Sequence, residues 1–565
     1  MPRLSLMSLA HRVGLLGFLT LTSLGSGPFW GSDSDLKGTG AAEINAALRG
    51  IVAEGRLADL RWPDFRDYQA HLKKFYEPTG YAPAWIEGDQ PSPQASAMIQ
   101  AFKDASSKGL QPEDYDASRW DGRLRSVRDG GIHVATFDTS LTVSAMRFVS
   151  DLHIGRINPK HVNFGLSVEQ KKYDLPQFVR DRLLRAADVS AVVDEVEPPF
   201  LPYRRSRAAL ARYVELANRD DGEQLPAEKK PVGPGQSYSG VPRLVRFLTL
   251  VGDLAASERF ASDRQIYDAA LVEAVKRFQR RHGLKDDGRL GAETLKQVNV
   301  PLSDRVRQLQ LSLERWRWLP SGFSSPPIIV NIPDFHLRAL DESNDVALSM
   351  RVVVGKAIRT QTPVFSRDMT YVVLRPYWNV PASILQGEIV PAIQRDRNYI
   401  ANKRYEVTTN DGDLVTAERI PDEILSRLRA GTLAVRQRPG PTNALGLVKL
   451  MFPNEFNVYL HSTPAREAFS RTRRDFSHGC IRVEKPAELA AWALRNNSGW
   501  TLERVQRSME RGSDNVTVTL ARSIPVFIVY ATALAYENDE VHFYEDIYGH
   551  DARLAAALAK GYPYP

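Results

Sequence analysis

The chain has a single cysteine, Cys480, inside the run Ser477-His478-Gly479-Cys480-Ile481-Arg482-Val483, and a second run rich in reactive side chains, Phe456-Asn457-Val458-Tyr459-Leu460-His461-Ser462, precedes it. Fifteen residues separate His461 from Ser477. With the two-residue period of a β-strand, Phe456, Val458 and Leu460 share one face of the first run, while Tyr459 and His461 share the other. In the second run Ile481 and Val483 face inward, and Cys480 and Arg482 face the opposite way. If the two strands pair, a thiol, an imidazole, a phenol and a guanidinium converge on one open face. That set suits acyl transfer through sulfur. A free thiol ionises at about pH 8.5, so little thiolate exists near neutrality, and a neighbouring histidine raises the reactive fraction by taking the proton. The oxyanion formed on attack needs preorganised donors. Gly479 permits close backbone approach and offers its N–H beside that of Cys480, and Arg482 can hold a substrate carboxylate bidentately. Two plainer readings compete. A lone cysteine is often a small buried hydrophobe. A zinc site built from His461, His478 and Cys480 is the other, although the paired spacings typical of zinc ligands are missing.

These residues must be positioned by a strand-rich region beginning near residue 326. Ile328 to Ile332, Met350 to Val354, Tyr371 to Leu374, Leu447 to Met451, Phe456 to His461, Cys480 to Val483, Val516 to Leu520 and Val526 to Tyr530 read as strands, with a turn at Asp341 to Asp345. Between Pro376 and Arg438 the sequence turns helical and charged, as in Glu423 to Arg429, which reads as an excursion from the sheet over about 382–440 and a candidate lid. Upstream, Val241, Leu244, Val245 and Leu248, then Leu271, Ala274, Val275 and Phe278, repeat at helical spacing; Gly283 ends the second helix, Asp286-Asp287-Gly288 makes a turn, and a third helix carries Leu295 and Val298. A Pro- and Gly-rich stretch, Pro226 to Gly240, reads as the linker before this compact 241–300 unit. Residues 45–240 are mostly helical, with runs at Ala95 to Leu110, Ser140 to Leu152 and Arg207 to Ala217, and read as a scaffold; His71 and His153 stand alone there and read as structural. The fold class is therefore multidomain α+β: helical scaffold, three-helix unit, a β-rich domain over 326–535 with a helical cap, and an extension over 536–565.

Composition sets outer limits. A chain of 565 residues exceeds one hydrophobic core. Hydrophobic residues at 43% and charged residues at 25% fit a soluble globular chain. The net charge of +7 is spread along the chain, with neither a basic tail nor zinc-finger spacing, which argues against nucleic-acid binding. At the N-terminus Arg3, His11 and Arg12 precede the apolar stretch Val13 to Leu24, with Ser23-Leu24-Gly25 as the best cleavage candidate; residues 1–32 read as a secretory signal peptide or a membrane anchor. One cysteine rules out an intramolecular disulfide.

The spaced pattern of His461 and Ser477-His478-Gly479-Cys480 resembles the signature of the L,D-transpeptidase (YkuD-type) family. Arg436-Gln437-Arg438-Pro439-Gly440-Pro441, Asn443-Ala444-Leu445-Gly446, Met451-Phe452-Pro453-Asn454, Arg315-Trp316-Arg317-Trp318-Leu319-Pro320 and Pro376-Tyr377-Trp378-Asn379-Val380-Pro381 are similar to its large periplasmic, YcbB-like branch. Many shorter members carry Asn where this chain has Arg482. The 241–300 unit, with Ala274-Val275-Lys276-Arg277-Phe278-Gln279, resembles a peptidoglycan-binding three-helix domain, and 45–240 the branch's scaffold. The resemblance implies Cys480 as nucleophile, His461 as general base, Ser477, His478 and Gly479 around the oxyanion site, and Tyr459, Trp378 and Arg482 along the substrate cleft. It further implies a tetrapeptide stem as donor, release of D-alanine, an amine acceptor giving a 3→3 cross-link, a periplasmic location, carbapenem acylation of the same cysteine, and no metal or organic cofactor. The same site would equally serve an L,D-carboxypeptidase or protein-to-wall attachment. A non-catalytic peptidoglycan-binding scaffold is the remaining alternative, against which the intact His461 and Ser477–Cys480 argue.

Overall fold

The computed structural model describes residues 38–255, 265–358, 360–538, 540–561 and 563; the expected signal or anchor at 1–32 lies outside the described residues. Among the described residues no helix is long and apolar enough to cross a membrane.

The scaffold is organised around one buried helix, Gly131–Ile154. Its Asp138 carboxylate accepts hydrogen bonds from Tyr76 Oη and from the N–H groups of Ala84 and Trp85, which ties the surrounding helices to it. His153 is structural here: its Nδ1 lies 2.8 Å from the Val196 carbonyl and its ring stacks on Tyr173. The run expected from Ala95 to Leu110 ends earlier. The helix spans Pro93–Lys103, and a 3₁₀ turn, Ala105–Lys108, leads to Gly109 at φ 74°.

The three-helix unit comprises Val241–Leu250, Ala269–Arg281 and Ala292–Val298. Asp268 caps the second helix through the Leu271 N–H, and Gly283 at φ 64° follows its end. The stretch expected as a linker is packed against this unit instead. Val232 and Tyr238 are buried in its core, and Val232 exchanges backbone hydrogen bonds with Leu290. The helix Leu201–Arg219 joins that core through Tyr203, Leu210 and Tyr213, as does a C-terminal hairpin, Ala533–Ala535 with Val541–Phe543. The C-terminal extension is thus a clamp: its last helix, His550–Lys560, is pinned by Asp551 to Arg315 at 2.5 Å.

The C-terminal domain is a nine-stranded sheet in the order Asp475–Ser477, Val346–Gly355, Ile481–Val483, Leu460–His461, Val448–Met451, Phe365–Leu374, Val516–Val529, Ile328–Asn331, His336–Leu340. The last strand pairs back to Val346–Gly355, so the sheet closes into a barrel-like ring. Val448, Leu450, Leu460, Ile481 and Val483 fill its interior, and full burial of such side chains contributes about 1.5–3 kcal/mol each. Two strand expectations change. Val516–Val529 is one strand with an irregularity between Thr519 and Ile524. The expected strand from Phe456 shrinks to Leu460–His461, and Phe456 is 42% exposed, because Asn454 folds the preceding residues into a turn. Its Oδ1 accepts from the N–H groups of Phe456 and Val458, its Nδ2 donates to the Phe452 and Val458 carbonyls, and Asn457 sits at φ 54°.

The cap is not purely helical. Helical turns from Ala382 to Arg395 and the helix Asp422–Arg429 pack on a four-stranded sheet ordered Trp378–Asn379, Ala434–Gln437, Tyr405–Thr408, Leu414–Thr416. Ile393, Val407, Leu428 and Val435 form its own core. Short strands flanked by charges carry too few alternating positions to read as strands from sequence.

Candidate active site

Three neighbouring strands carry the site. Lys449 on Val448–Met451 is the cross-strand partner of His461, and His461 is the parallel-strand partner of Arg482. Lys449, His461 and Arg482 therefore form a row across the sheet. Tyr459 lies two residues before His461 and Cys480 two before Arg482, so both fall one same-face step along, with the Ile481 N–H bonded to the Tyr459 carbonyl between them. The Tyr459 and His461 rings meet edge-on at 5.7 Å.

Cys480 lies just before its strand, half-buried. Its Sγ is 3.6 Å from the Asn457 carbonyl. The thiol's pKa lies above its ordinary value: burial pushes it up, and the Tyr459 backbone and side chain, with the nearby charges of Lys449 and Arg482, offset this only in part. His461 is buried, and burial together with the Arg482 charge pushes its pKa down to about 3, so the resting ring is neutral. Its Nδ1 lies 2.6 Å from the Ser462 carbonyl, and the Leu445 backbone also acts on the ring, so backbone groups fix its orientation. Gly446, at φ 62°, makes this orientation possible: a Cβ there would collide with Ser462. Asn443, fully buried, sets that turn by donating to the Pro376, Gln437 and Arg438 carbonyls and accepting from the Leu445 N–H.

The Ser477–Cys480 turn is closed by its own groups. Ser477 Oγ donates to the Cys480 carbonyl at 2.6 Å and accepts the Gly479 N–H at 3.1 Å. Thr362 Oγ1 donates to the Gly479 carbonyl at 2.8 Å and accepts the Gly355 N–H. The Gly479 N–H, expected to be free beside that of Cys480, therefore donates within the turn to Ser477. Ser477 shapes the turn. Gly479, at φ 114°, makes the turn in a conformation that L side chains rarely adopt.

Residues 326–518 match the family described as "L,D-transpeptidase catalytic domain" (YkuD). This region is an L,D-transpeptidase catalytic domain. Residues 240–298 match the family described as "Putative peptidoglycan binding domain", and residues 70–210 match "Scaffold domain". A protein of Haemophilus influenzae described as "Putative L,D-transpeptidase" is 33% identical over 255 residues, covering 45% of this chain and 50% of that relative. The match thus spans half of the relative's length.

Within the L,D-transpeptidase domain, two expected residues belong to the cap side. The His478 ring meets the cap: its Nε2 is 2.8 Å from Glu388 Oε1 in the helical turn Leu385–Ile389. Trp378 stands at the base of the cap sheet, its ring 6.2 Å from that of Tyr405. Arg482 does face the site, and its buried Nε has no hydrogen-bond partner among the described residues. Among the described residues no three or more His, Cys, Asp or Glu side chains gather as a metal-binding group. Lys449 and Glu388 went unnoticed in the sequence. Lys449 had a signal: a lone lysine between Val448 and Leu450 on the face opposite to the core. Glu388 had none.

Proposed function

We propose that the protein is a peptidoglycan L,D-transpeptidase that forms 3→3 cross-links. The observation that carries the reading is the cation-rich patch around Cys480, with neutral His461 one strand away, within a domain of this family. The Cys480 thiol gives its proton to the neutral His461 ring, and the sulfur attacks the carbonyl carbon of the third residue of a tetrapeptide stem. The addition intermediate faces the Cys480 N–H. The C–N bond to the terminal D-alanine breaks, and its amine leaves with the proton from His461. The resulting thioester is attacked by a side-chain amine of a second stem; the new C–N bond forms, the C–S bond breaks and the thiol is restored. The unpartnered Arg482 Nε suits a stem carboxylate. No group beyond this chain's own side chains is needed for these steps. Peptidoglycan as partner fits the "Putative peptidoglycan binding domain" match, and a periplasmic location is the one consistent with such a substrate.

Resolution of the thioester by water would make the same site an L,D-carboxypeptidase, and a lysine of another protein would make it a wall-attachment enzyme. The cap reaching down to His478 favours the amine over water. The test is mass spectrometry of the protein incubated with disaccharide-tetrapeptide, beside Cys480→Ala. A dimer lacking one alanine, absent with the variant, is the expected result. Monomeric tripeptide alone would move the reading to the carboxypeptidase, and no Cys480-dependent product or thioester would leave a binding scaffold.

A further inference from the structure

Lys449 has no role in the acyl-transfer scheme above, yet it occupies the centre of the site. Its ammonium sits 3.9 Å from the centre of the Tyr459 ring, and Tyr459 lies beside Cys480 on the neighbouring strand, its carbonyl accepting the Ile481 N–H. Across the sheet it is paired with His461. Its neighbours Val448 and Leu450 are buried, and Lys449 itself is only partly exposed. Among the described residues the ammonium makes no hydrogen bond, and no carboxylate lies within 4.0 Å. A lysine in mid-strand can be a stem that covers apolar surface and lifts its charge into water. Here the charge stays over the Tyr459 ring, where a ring face attracts a cation. Withdrawing an ammonium from water without a counter-ion is costly, and a threonine or leucine would fill the same position without that cost.

We propose that Lys449 is a positioning residue that holds a fixed positive charge against Tyr459 and Cys480, favouring the thiolate form of the nucleophile while discouraging a proton on His461. The two effects share one cause. A cation in this row attracts negative charge at sulfur and repels positive charge on the imidazole. The Lys449 charge pulls down the pKa of Cys480, which burial holds above its ordinary value, and adds to the lowering at His461; burial depresses the pKa of Lys449 itself and the Cys480 charge opposes that shift. On deprotonation, the missing counter-ion of Lys449 is supplied by the thiolate itself.

The inference rests on Cys480 being the nucleophile of the proposed function, but its test does not require peptide chemistry. Cys480 is the chain's one cysteine, so thiolate absorbance and iodoacetamide alkylation of the full chain report on it alone. The midpoint of the alkylation rate against pH is measured for the native protein, Lys449→Met and Lys449→Arg. Lys449→Met should raise the midpoint by about one pH unit, the scale of one nearby opposite charge, and Lys449→Arg should return it toward the native value. An unchanged midpoint in Lys449→Met overturns the proposal. So does an equal rise in both variants, which would assign the effect to packing. If Lys449→Met loses cooperative unfolding, Lys449→Gln gives the same reading. A shifted midpoint without any peptide product would break the proposed function and leave the role of Lys449 standing. An unshifted midpoint with Cys480-dependent product would do the reverse.

Discussion

Arg281 in the three-helix unit and Arg482 in the catalytic domain are both guanidinium groups withdrawn from water, but their surroundings are opposite. Burial works against the charge of Arg281, and Tyr213 and Asp253 more than offset it. Its Nε lies 2.9 and 3.0 Å from the two Asp253 oxygens, and its Nη1 donates to Tyr213 Oη at 3.1 Å. Arg482 has no such match. Burial lowers its pKa, only the Cys480 and Glu467 charges oppose this, and no carboxylate lies within 4.0 Å among the described residues. Lys449 shares the condition. A buried charge with a matched partner fixes structure; one left unmatched beside a thiol is available to the charge of the proposed substrate.

The largest expected effect separates the two. Arg281→Met leaves Asp253 buried and uncompensated, so the unfolding free energy should fall by about 3–5 kcal/mol, while the folded fraction keeps its product yield. Arg482→Met removes a charge that has no partner. Stability should move by less than about 1 kcal/mol, and kcat/KM for a tetrapeptide donor should fall about 10- to 100-fold. Calorimetry and product assays on both variants check this. Equal losses of stability would dissolve the distinction.

Buried histidines sharpen it further. His282 stacks on Phe278 at 3.8 Å with its Nδ1 2.7 Å from the Phe278 carbonyl, and burial drives its pKa well below normal, as burial does for His461. For His461 the unfolded chain takes up a proton near 6.5, the folded chain only at about 3. Between those values the unfolded state holds more protons, so stability is full above the window and falls as pH drops through it, by about 1.4 kcal/mol per pH unit per histidine. Replacing either His461 or His282 with Gln should flatten the acid limb of the stability curve by one proton's slope. Only His461→Gln should abolish the cross-linked product. Loss of product with His282→Gln at full fold would erase the contrast.

The difference between these regions also explains what could be read in the sequence. Alternation around Val448, Leu450, Leu460, Ile481 and Val483 and the helical spacing of Leu271 to Phe278 are local consequences of facing a core, so strands and helices were legible. The convergence of Tyr459, His461, Cys480 and Arg482 followed from strand parity plus one assumed pairing. Lys449 did not emerge, because which strand lies beside Leu460–His461 is a property of the closed sheet and not of any segment. The Phe456–Asn457 turn was hidden by a side-chain device, Asn454, that mimics backbone hydrogen bonding. Gly479 illustrates the same limit: its lack of a side chain was legible, but the Ser477 hydroxyl that occupies its N–H was not.

The smallest expected effect on stability concerns a pair that joins the cap to the Ser477–Cys480 turn. His478 and Glu388 are both partly exposed, 37% and 57%, at 2.8 Å. A pair so open to solvent contributes no more than about 0.5 kcal/mol, so it belongs to neither class of buried charge. Its position gives it consequence all the same, since His478 is two residues from Cys480 and Glu388 lies within the turn Leu385–Ile389 of the cap. Glu388→Gln keeps the shape of the side chain and removes its charge. Thermal unfolding should stay within the error of native protein, while the fraction of tripeptide relative to cross-linked dimer rises, because a cap less firmly seated admits water to the thioester. An unchanged product ratio would mean that the cap is held by its base at Trp378–Asn379 and Ala434–Gln437, and that the His478 contact merely accompanies closure.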